Sequence, residues 1–252
     1  MSLIDNLIRF ERGTIPLIIS VPHGGKLECE SIPERVKGFL GTDKSTIKLA
    51  QNLISHIKKI SKLHTSIEKS PSYIISHIRR RKIDLNRKEG EAFNTNSTLA
   101  KDVYQLYHNT LKTLILENLR SFNQSLLIDI HGFEKKKRPS GFRDVELIFG
   151  TNNLESFYSE PLPKKSWDST LRGKLITKFL ELNIPIAPGH PKRKEYVLTG
   201  GYITKQYGAS HIPNSKAIQI EFSDRVRLFD EDLRNVVLHT LAEIFFKEIT
   251  KI

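Results

Sequence analysis

Two histidines in this 252-residue chain stand where a short apolar run gives way to glycine. Pro22-His23-Gly24-Gly25 follows the run Leu17 to Val21, and His131-Gly132 follows Leu126 to Ile130; a third run, Ala217 to Ile220, ends on Glu221. Two histidines plus one carboxylate are a usual ligand set for catalytic zinc, with a fourth position left for water. The metal lowers the pKa of that water, and a nearby carboxylate such as Glu221 can take its proton. Taken singly, a histidine after a strand is more often a hydrogen-bonded structural group, and Glu221 alone could be a salt-bridged strand-end carboxylate. Both histidines with trailing glycine, together with a strand-end glutamate, favour the metal reading. The glycines are expected to let the backbone turn away and approach a ligand closely. The other seven histidines, among them His56, His77, His108, His190 and His211, lack this context and read as surface or structural groups.

A second signal is Arg80-Arg81-Lys82-Ile83-Asp84-Leu85-Asn86-Arg87. Planar guanidinium groups beside an amide donor suit capture of a carboxylate, or stabilisation of the anion that develops in amide hydrolysis. A basic surface turn is the plainer alternative.

The elements that must position these residues follow from periodicity. Leu17 to Val21, Tyr73 to Ile78, Leu126 to Ile130 and Ala217 to Phe222 read as buried strands, and Val145 to Phe149 as a fifth. Helical spacing runs over Asp43 to Ile60, with Ile47, Ala50, Leu53, Ile54 and Ile57 in one stripe behind a Thr42 or Asp43 cap, and over Leu99 to Phe122, Asp168 to Leu182 and Asp230 to Ile249. Strands alternating with long helices predict an α/β fold. It has a single open, largely parallel or mixed sheet with helices on both faces, in one domain spanning residues 1–252. In such sheets ligands bind outside the carboxyl ends of the strands, so His23, His131 and Glu221 should converge on one crevice. Thr151 to Lys165 and Ala187 to Tyr196, rich in Pro, Asn and Lys, are expected as loops beside it.

Composition sets the bounds. Forty Lys and Arg against 28 Asp and Glu leave a formal charge of +12, which attracts anionic partners. The basic residues are scattered apart from short clusters at 77–82 and 134–138, and no aromatic-rich RNA motif or zinc-finger spacing accompanies them, so nucleic acid is not the expected partner. The lone Cys29 excludes an intrachain disulfide and has no cysteine-hydrolase context. The apolar run Ile15 to Val21 is too short to span a bilayer, no long apolar leader region is present, and the expected location is the cytoplasm.

Ser20-Val-Pro-His-Gly-Gly25, Arg80-x-x-x-Asp-Leu-Asn-Arg87, Leu127-Ile-Asp-Ile-His-Gly132, Gly200-Gly-Tyr-Ile-Thr204 and Gln219-Ile-Glu221 together resemble, in this order, the motifs of the N-formylglutamate amidohydrolase family, which is similar in fold and zinc site to the zinc carboxypeptidases. The resemblance implies one zinc or other divalent ion held by His23, His131 and an acidic third ligand, with Glu221 as general base. It further implies Asp84 as a group fixing the His23 tautomer, Arg80 as the oxyanion-stabilising arginine, Asn86 and Arg87 as holders of a substrate carboxylate, and Tyr202 with Thr204 lining the substrate pocket. Carboxypeptidases place a glutamate three residues after the first histidine, and here that residue is Lys26. Asp43 resembles the acidic position of the amidohydrolase family, with Glu28 and Glu30 as substitutes.

The implied activity is zinc-dependent hydrolysis of the amide of an N-formyl or N-acyl amino acid, a small molecule bearing a carboxylate. A zinc amidase or carboxypeptidase acting on peptide or cell-wall fragments, and a non-catalytic nucleic-acid-binding relative, are the alternatives. Pocket size discriminates the first of these, and the salt dependence of binding the second.

Overall fold

The computed structural model describes residues 6–138 and 140–250. In chain order the elements are β1 Ile8–Glu11, β2 Ile15–Val21, α1 Thr46–Thr65, β3 Pro71–Ser76, α2 Glu89–Ala92, α3 Thr98–Phe122 and β4 Ser125–Phe133. They continue with β5 Leu147–Gly150, α4 Leu171–Glu181, β6 Ile186–Ala187, α5 Tyr202–Tyr207, β7 Ser215–Ser223 and α6 Glu231–Thr250. One open seven-stranded sheet has the order β1-β3-β2-β4-β7-β5-β6. Its four central strands, β3, β2, β4 and β7, are mutually parallel, while β1 joins β3 and β5 joins β7 in antiparallel sense.

The central strands read as largely apolar runs because both faces of the sheet are covered; every residue of β2 is buried. One face carries Leu17, Ile19, Ile128, Ile130, Ile218 and Ile220 against the apolar stripes of α1, α4 and α6. The other carries Ile18, Ile74, Leu127 and Ala217 against Val103, Tyr107 and Leu111 of α3. Because strand side chains alternate between faces, Asp129 and His131 of β4 and Gln219 and Glu221 of β7 all fall on the α3 side, at the carboxyl end of the sheet.

The sheet is mixed rather than purely parallel, and it gains two edge strands beyond the expected five. Neither had a readable signal: β1 buries only its first residue, and β6 has two residues. Two helix starts are corrected. Helix α1 begins at Thr46 after Ser45 in a left-handed conformation (φ 63°) with no side-chain cap, because the carboxylate of Asp43 turns away towards the two histidines. Helix α4 begins at Leu171 rather than Asp168, since Thr170 supplies the cap by accepting from the Gly173 N–H at 3.1 Å. Among the described residues no helix is long and apolar enough to cross a membrane.

Candidate metal centre

His23 lies two residues beyond β2, held by a hydrogen bond from the Asp43 N–H to its carbonyl at 3.0 Å. That bond also brings the Asp43 side chain in from the segment before α1. His131 is in β4 and stands directly beside Glu221 of β7 in the parallel register. The expected glycine role is corrected: Gly24, Gly25 and Gly132 are close to other protein groups rather than opened towards a ligand. A Cβ at Gly25 would collide with the backbone of His77 and Ile78, and one at Gly132 with the Arg227 guanidinium.

Around the two imidazoles the polar contacts are complete on one side and open on the other. His23 Nε2 lies 2.7 Å from Asp84 Oδ1, and His131 Nε2 lies 2.7 Å from Asp129 Oδ2. Each Nε2 must carry its proton to donate to those carboxylates, so in the neutral rings each Nδ1 is an unprotonated lone-pair donor. The two Nδ1 atoms face each other at 3.1 Å, and Asp43 Oδ2 lies 3.6 Å from the first and 3.3 Å from the second. Two lone pairs and a carboxylate oxygen pointed at one space repel unless a cation sits between them. His23, Asp43 and His131 are all buried, and one donor atom from each falls within 4.8 Å of the others, so the donor set fits a metal ion. By contrast Glu28 is exposed and paired to Arg79 at 2.9 Å, and Glu30 is exposed.

Electrostatics point the same way. Burial pushes the Asp43 carboxyl up, but the two imidazoles beside it, His131 and then His23, outweigh it and hold the group well below the usual carboxylate range. Burial likewise opposes ionisation of Asp84, and His23, Arg80 and Arg35 override it. Burial disfavours charge on His131, yet Asp129 and Asp43 raise its pKa well above the ordinary imidazole value: the cluster stabilises positive charge at this point. Glu221 moves the other way, since burial raises its pKa and Asp43 adds to the rise while His131 and His23 oppose it. A carboxyl so shifted is closer to the working range of a proton shuttle than an exposed glutamate.

The arginine segment follows β3 and passes beneath the histidines. Arg80 donates from Nε to Asp84 Oδ2 at 3.0 Å and stacks its guanidinium over Phe39 at 5.0 Å, with Nη1 3.7 Å from Asp43 Oδ1, beyond hydrogen-bond reach. Arg87 reaches the cavity with its side chain half exposed, 3.7 Å from Asp84. Asn86 lies on the cavity wall, but its amide is committed to the protein: Oδ1 accepts from the Ile203 N–H at 2.8 Å and Nδ2 donates to Gln219 Oε1 at 3.3 Å. Tyr202 lines the cavity, whereas Thr204 does not. The expectation for Thr204 is corrected, since two residues along α5 rotate a side chain by roughly 200° and carry it off the cavity face. Thr204 is fully buried and, among the described residues, its Oγ1 has no hydrogen-bond partner.

Three residues given no role from the sequence shape the centre. Asp129 holds His131 and in turn accepts from Ser20 Oγ at 2.6 Å, with the Tyr107 hydroxyl 2.8 Å beyond. Gln219 Oε1 accepts from the Gly201 N–H at 2.7 Å while its Nε2 donates to Glu221 Oε1 at 2.9 Å, so it orients the glutamate. Arg227, on a π-helical turn after β7, donates to the carbonyls of Phe222, Phe133 and Lys44 and seals the strand ends beneath Gly132. Both Asp129 and Gln219 had a readable signal, a polar residue inside an otherwise apolar run, which must find a partner once buried.

These groups open into a cavity of about 990 Å³, whose walls also include Phe39, Ile148, Val197, Tyr202 and His211. Residues 197–201 form its far wall; the segments 151–165 and 187–196 do not line it, which corrects their expected position. Glu195 is instead buried against Arg172 at 2.9 Å and accepts from the Thr151 and Asn153 N–H groups, tying the two segments together behind the wall.

No protein-family model and no curated protein matches this sequence. Among solved structures the chain is similar to an N-formylglutamate amidohydrolase from Ralstonia eutropha JMP134, with a TM-score of 0.66 and 14% identity over 97% of this chain and 98% of that one. It is also similar to a gene product of Agrobacterium tumefaciens, with a TM-score of 0.62 and 12% identity over 97% and 95% of the two chains. This chain therefore has the fold of an N-formylglutamate amidohydrolase, built on one open mixed sheet.

Proposed function

We propose that this protein is a zinc-dependent hydrolase that cleaves the amide bond of an N-formyl or N-acyl amino acid, releasing a carboxylate and a free amine. The observation that carries the reading is the pair of facing Nδ1 atoms at 3.1 Å, each imidazole backed by a buried carboxylate, with Asp43 completing the donor set. Two nitrogens and one carboxylate oxygen are the donor chemistry of a catalytic zinc site with a position left open. The name of the similar Ralstonia structure supports amide hydrolysis as the reaction.

His23, His131 and Asp43 would hold the ion, which supplies a Lewis acid and lowers the pKa of a water towards ~7. Asp84 and Asp129 fix both ring tautomers and raise the basicity of the coordinating nitrogens. Glu221, held by Gln219, accepts the proton of the attacking water and delivers it to the leaving nitrogen. Arg80 keeps its orientation through Nε and Asp84, which leaves its terminal nitrogens to donate to the oxyanion. Arg87, on the cavity wall, takes the substrate carboxylate.

The test is metal analysis of the purified protein combined with a screen of N-formyl and N-acyl amino acids, with and without chelator. The reading requires a divalent ion in the protein and a chelator-sensitive turnover of an acylated acidic amino acid. Chelator-insensitive turnover, or stoichiometric metal with no acyl amino acid cleaved, would count against it.

A further inference from the structure

The cavity around the metal centre is large and basic beyond what one acylated amino acid requires. Its volume of about 990 Å³ stands at the top of the range for drug-sized ligands. A second cavity of about 610 Å³, formed by residues of 34–38 and 90–95, shares the wall residues Arg87 and Glu91 with the first, so the two adjoin at the arginine. The walls of the main cavity carry Arg87 and Lys88 on one side, Lys205 of α5 on another, and Lys137 and Arg138 on a third.

These cations are not all absorbed by the protein. Lys137 pairs with Glu134 at 2.9 Å and Arg138 donates to the Arg143 carbonyl. Lys88 and Lys205 are exposed and, among the described residues, make no ion pair or side-chain hydrogen bond. Each carries its charge at the cavity wall, and the whole chain is strongly cationic, at +12. Glu91 and Glu134 are interleaved with them on the same walls. A phosphodiester backbone offers nothing for those carboxylates, whereas a peptide brings N–H donors for the glutamates and side-chain carboxylates for the lysines.

We propose that the substrate is an acidic peptide: an N-acylated chain whose first residue sits at the metal centre and whose further carboxylates lie against Lys88 and Lys205, extending past Arg87. This rests on the hydrolase reading above. The reaction stays balanced as simple hydrolysis: the acyl carbon–nitrogen bond breaks, the carbon gains the hydroxyl of water, and the nitrogen gains its proton.

The experiment compares kcat/KM of the metal-loaded protein for N-formyl-Glu, N-formyl-Glu-Glu-Glu and the equally long N-formyl-Glu-Gln-Gln. The triglutamate should be preferred about tenfold or more over both others at low salt, and the preference should shrink as salt rises. In a Lys88→Gln, Lys205→Gln double variant the preference for triglutamate over Glu-Gln-Gln should collapse towards parity. Equal kcat/KM for the three substrates, or a preference untouched by the double variant, overturns the proposal while leaving the hydrolase reading intact. A binding arm separates the two further, with Glu221→Gln protein loaded with zinc and titrated with triglutamate and with oligothymidylate of equal charge. Triglutamate binding that weakens in a variant also carrying the two lysine changes supports the acidic-peptide site even if no acyl substrate is turned over. Equal or tighter binding of the oligonucleotide overturns it in favour of nucleic acid.

Discussion

His131 and Glu221 are register partners on the parallel strands β4 and β7, and the side chains two positions earlier on each strand, Asp129 and Gln219, hold them by hydrogen bonds. The proposed ligand and the proposed base are thus fixed by the same sheet ladder. Their separation depends on no loop, and strand ends are where precise placement of reacting groups is cheapest in entropy.

The donor set predicts about one zinc or similar divalent ion per chain. His23→Ala or His131→Ala should empty the centre, read as metal content after gel filtration by atomic emission. Full occupancy in both variants would remove the basis for the site.

Asp129 should act on the metal without touching it. Asp129→Asn keeps the shape of the side chain and weakens the charge-assisted bond to His131 Nε2, and metal affinity should fall by roughly tenfold or more, the usual scale for partners of ligating histidines. Competition with a chromogenic chelator measures it. An unchanged dissociation constant would make Asp129 a core residue only.

Arg87→Ala should raise KM for a carboxylate-bearing substrate by roughly ten- to a hundredfold, the equivalent of the loss of about 1.5–3 kcal/mol from a charge-assisted contact. Its half-exposed side chain and loose 3.7 Å approach to Asp84 leave it available for that contact. Lysine should substitute poorly, because it lacks the planar fork. Unchanged KM in the alanine variant would place the carboxylate elsewhere.

His108 makes stability pH-dependent. It is buried beneath Tyr207, whose hydroxyl lies 2.9 Å from Nδ1, and burial lowers its pKa from 6.5 to about 4. The unfolded chain therefore takes up this proton at higher pH than the folded one, so stability is lost as pH falls from about 6.5 to about 4. The loss from this group approaches roughly 3 kcal/mol at the acid end. Urea titrations across that window should show the slope, and His108→Gln should flatten it; an identical slope in the variant would assign the acid lability to other groups.

Much of this arrangement was legible in the sequence because buried strands announce themselves. The runs before His23, His131 and Glu221 are apolar but for one polar residue each, Ser20, Asp129 and Gln219, so their carboxyl ends could be located and assigned to one edge of the sheet. What periodicity does not carry is register and phase. Nothing in the chain shows that residue 131 pairs with residue 221, or that Thr204 lies on the far side of α5 from Tyr202. Asp43 illustrates the competition between local and tertiary demands. It stands where a helix cap belongs, but its carboxylate accepts from the Gly132 N–H at 3.1 Å and faces the histidines, so the helix starts uncapped at Thr46. The glycines after the histidines suggested ligand approach, whereas the space they leave is filled by protein.

The central claim is that Glu221 moves the proton in a metal-dependent hydrolysis, and one variant tests it. Glu221→Gln preserves size and the hydrogen bond partner Gln219 while removing basicity. Measuring turnover of an N-formyl acidic substrate together with zinc content and melting temperature on the variant decides the matter. The account predicts normal zinc and normal melting with turnover reduced by roughly two or more orders of magnitude. Retained turnover with normal zinc content would contradict it.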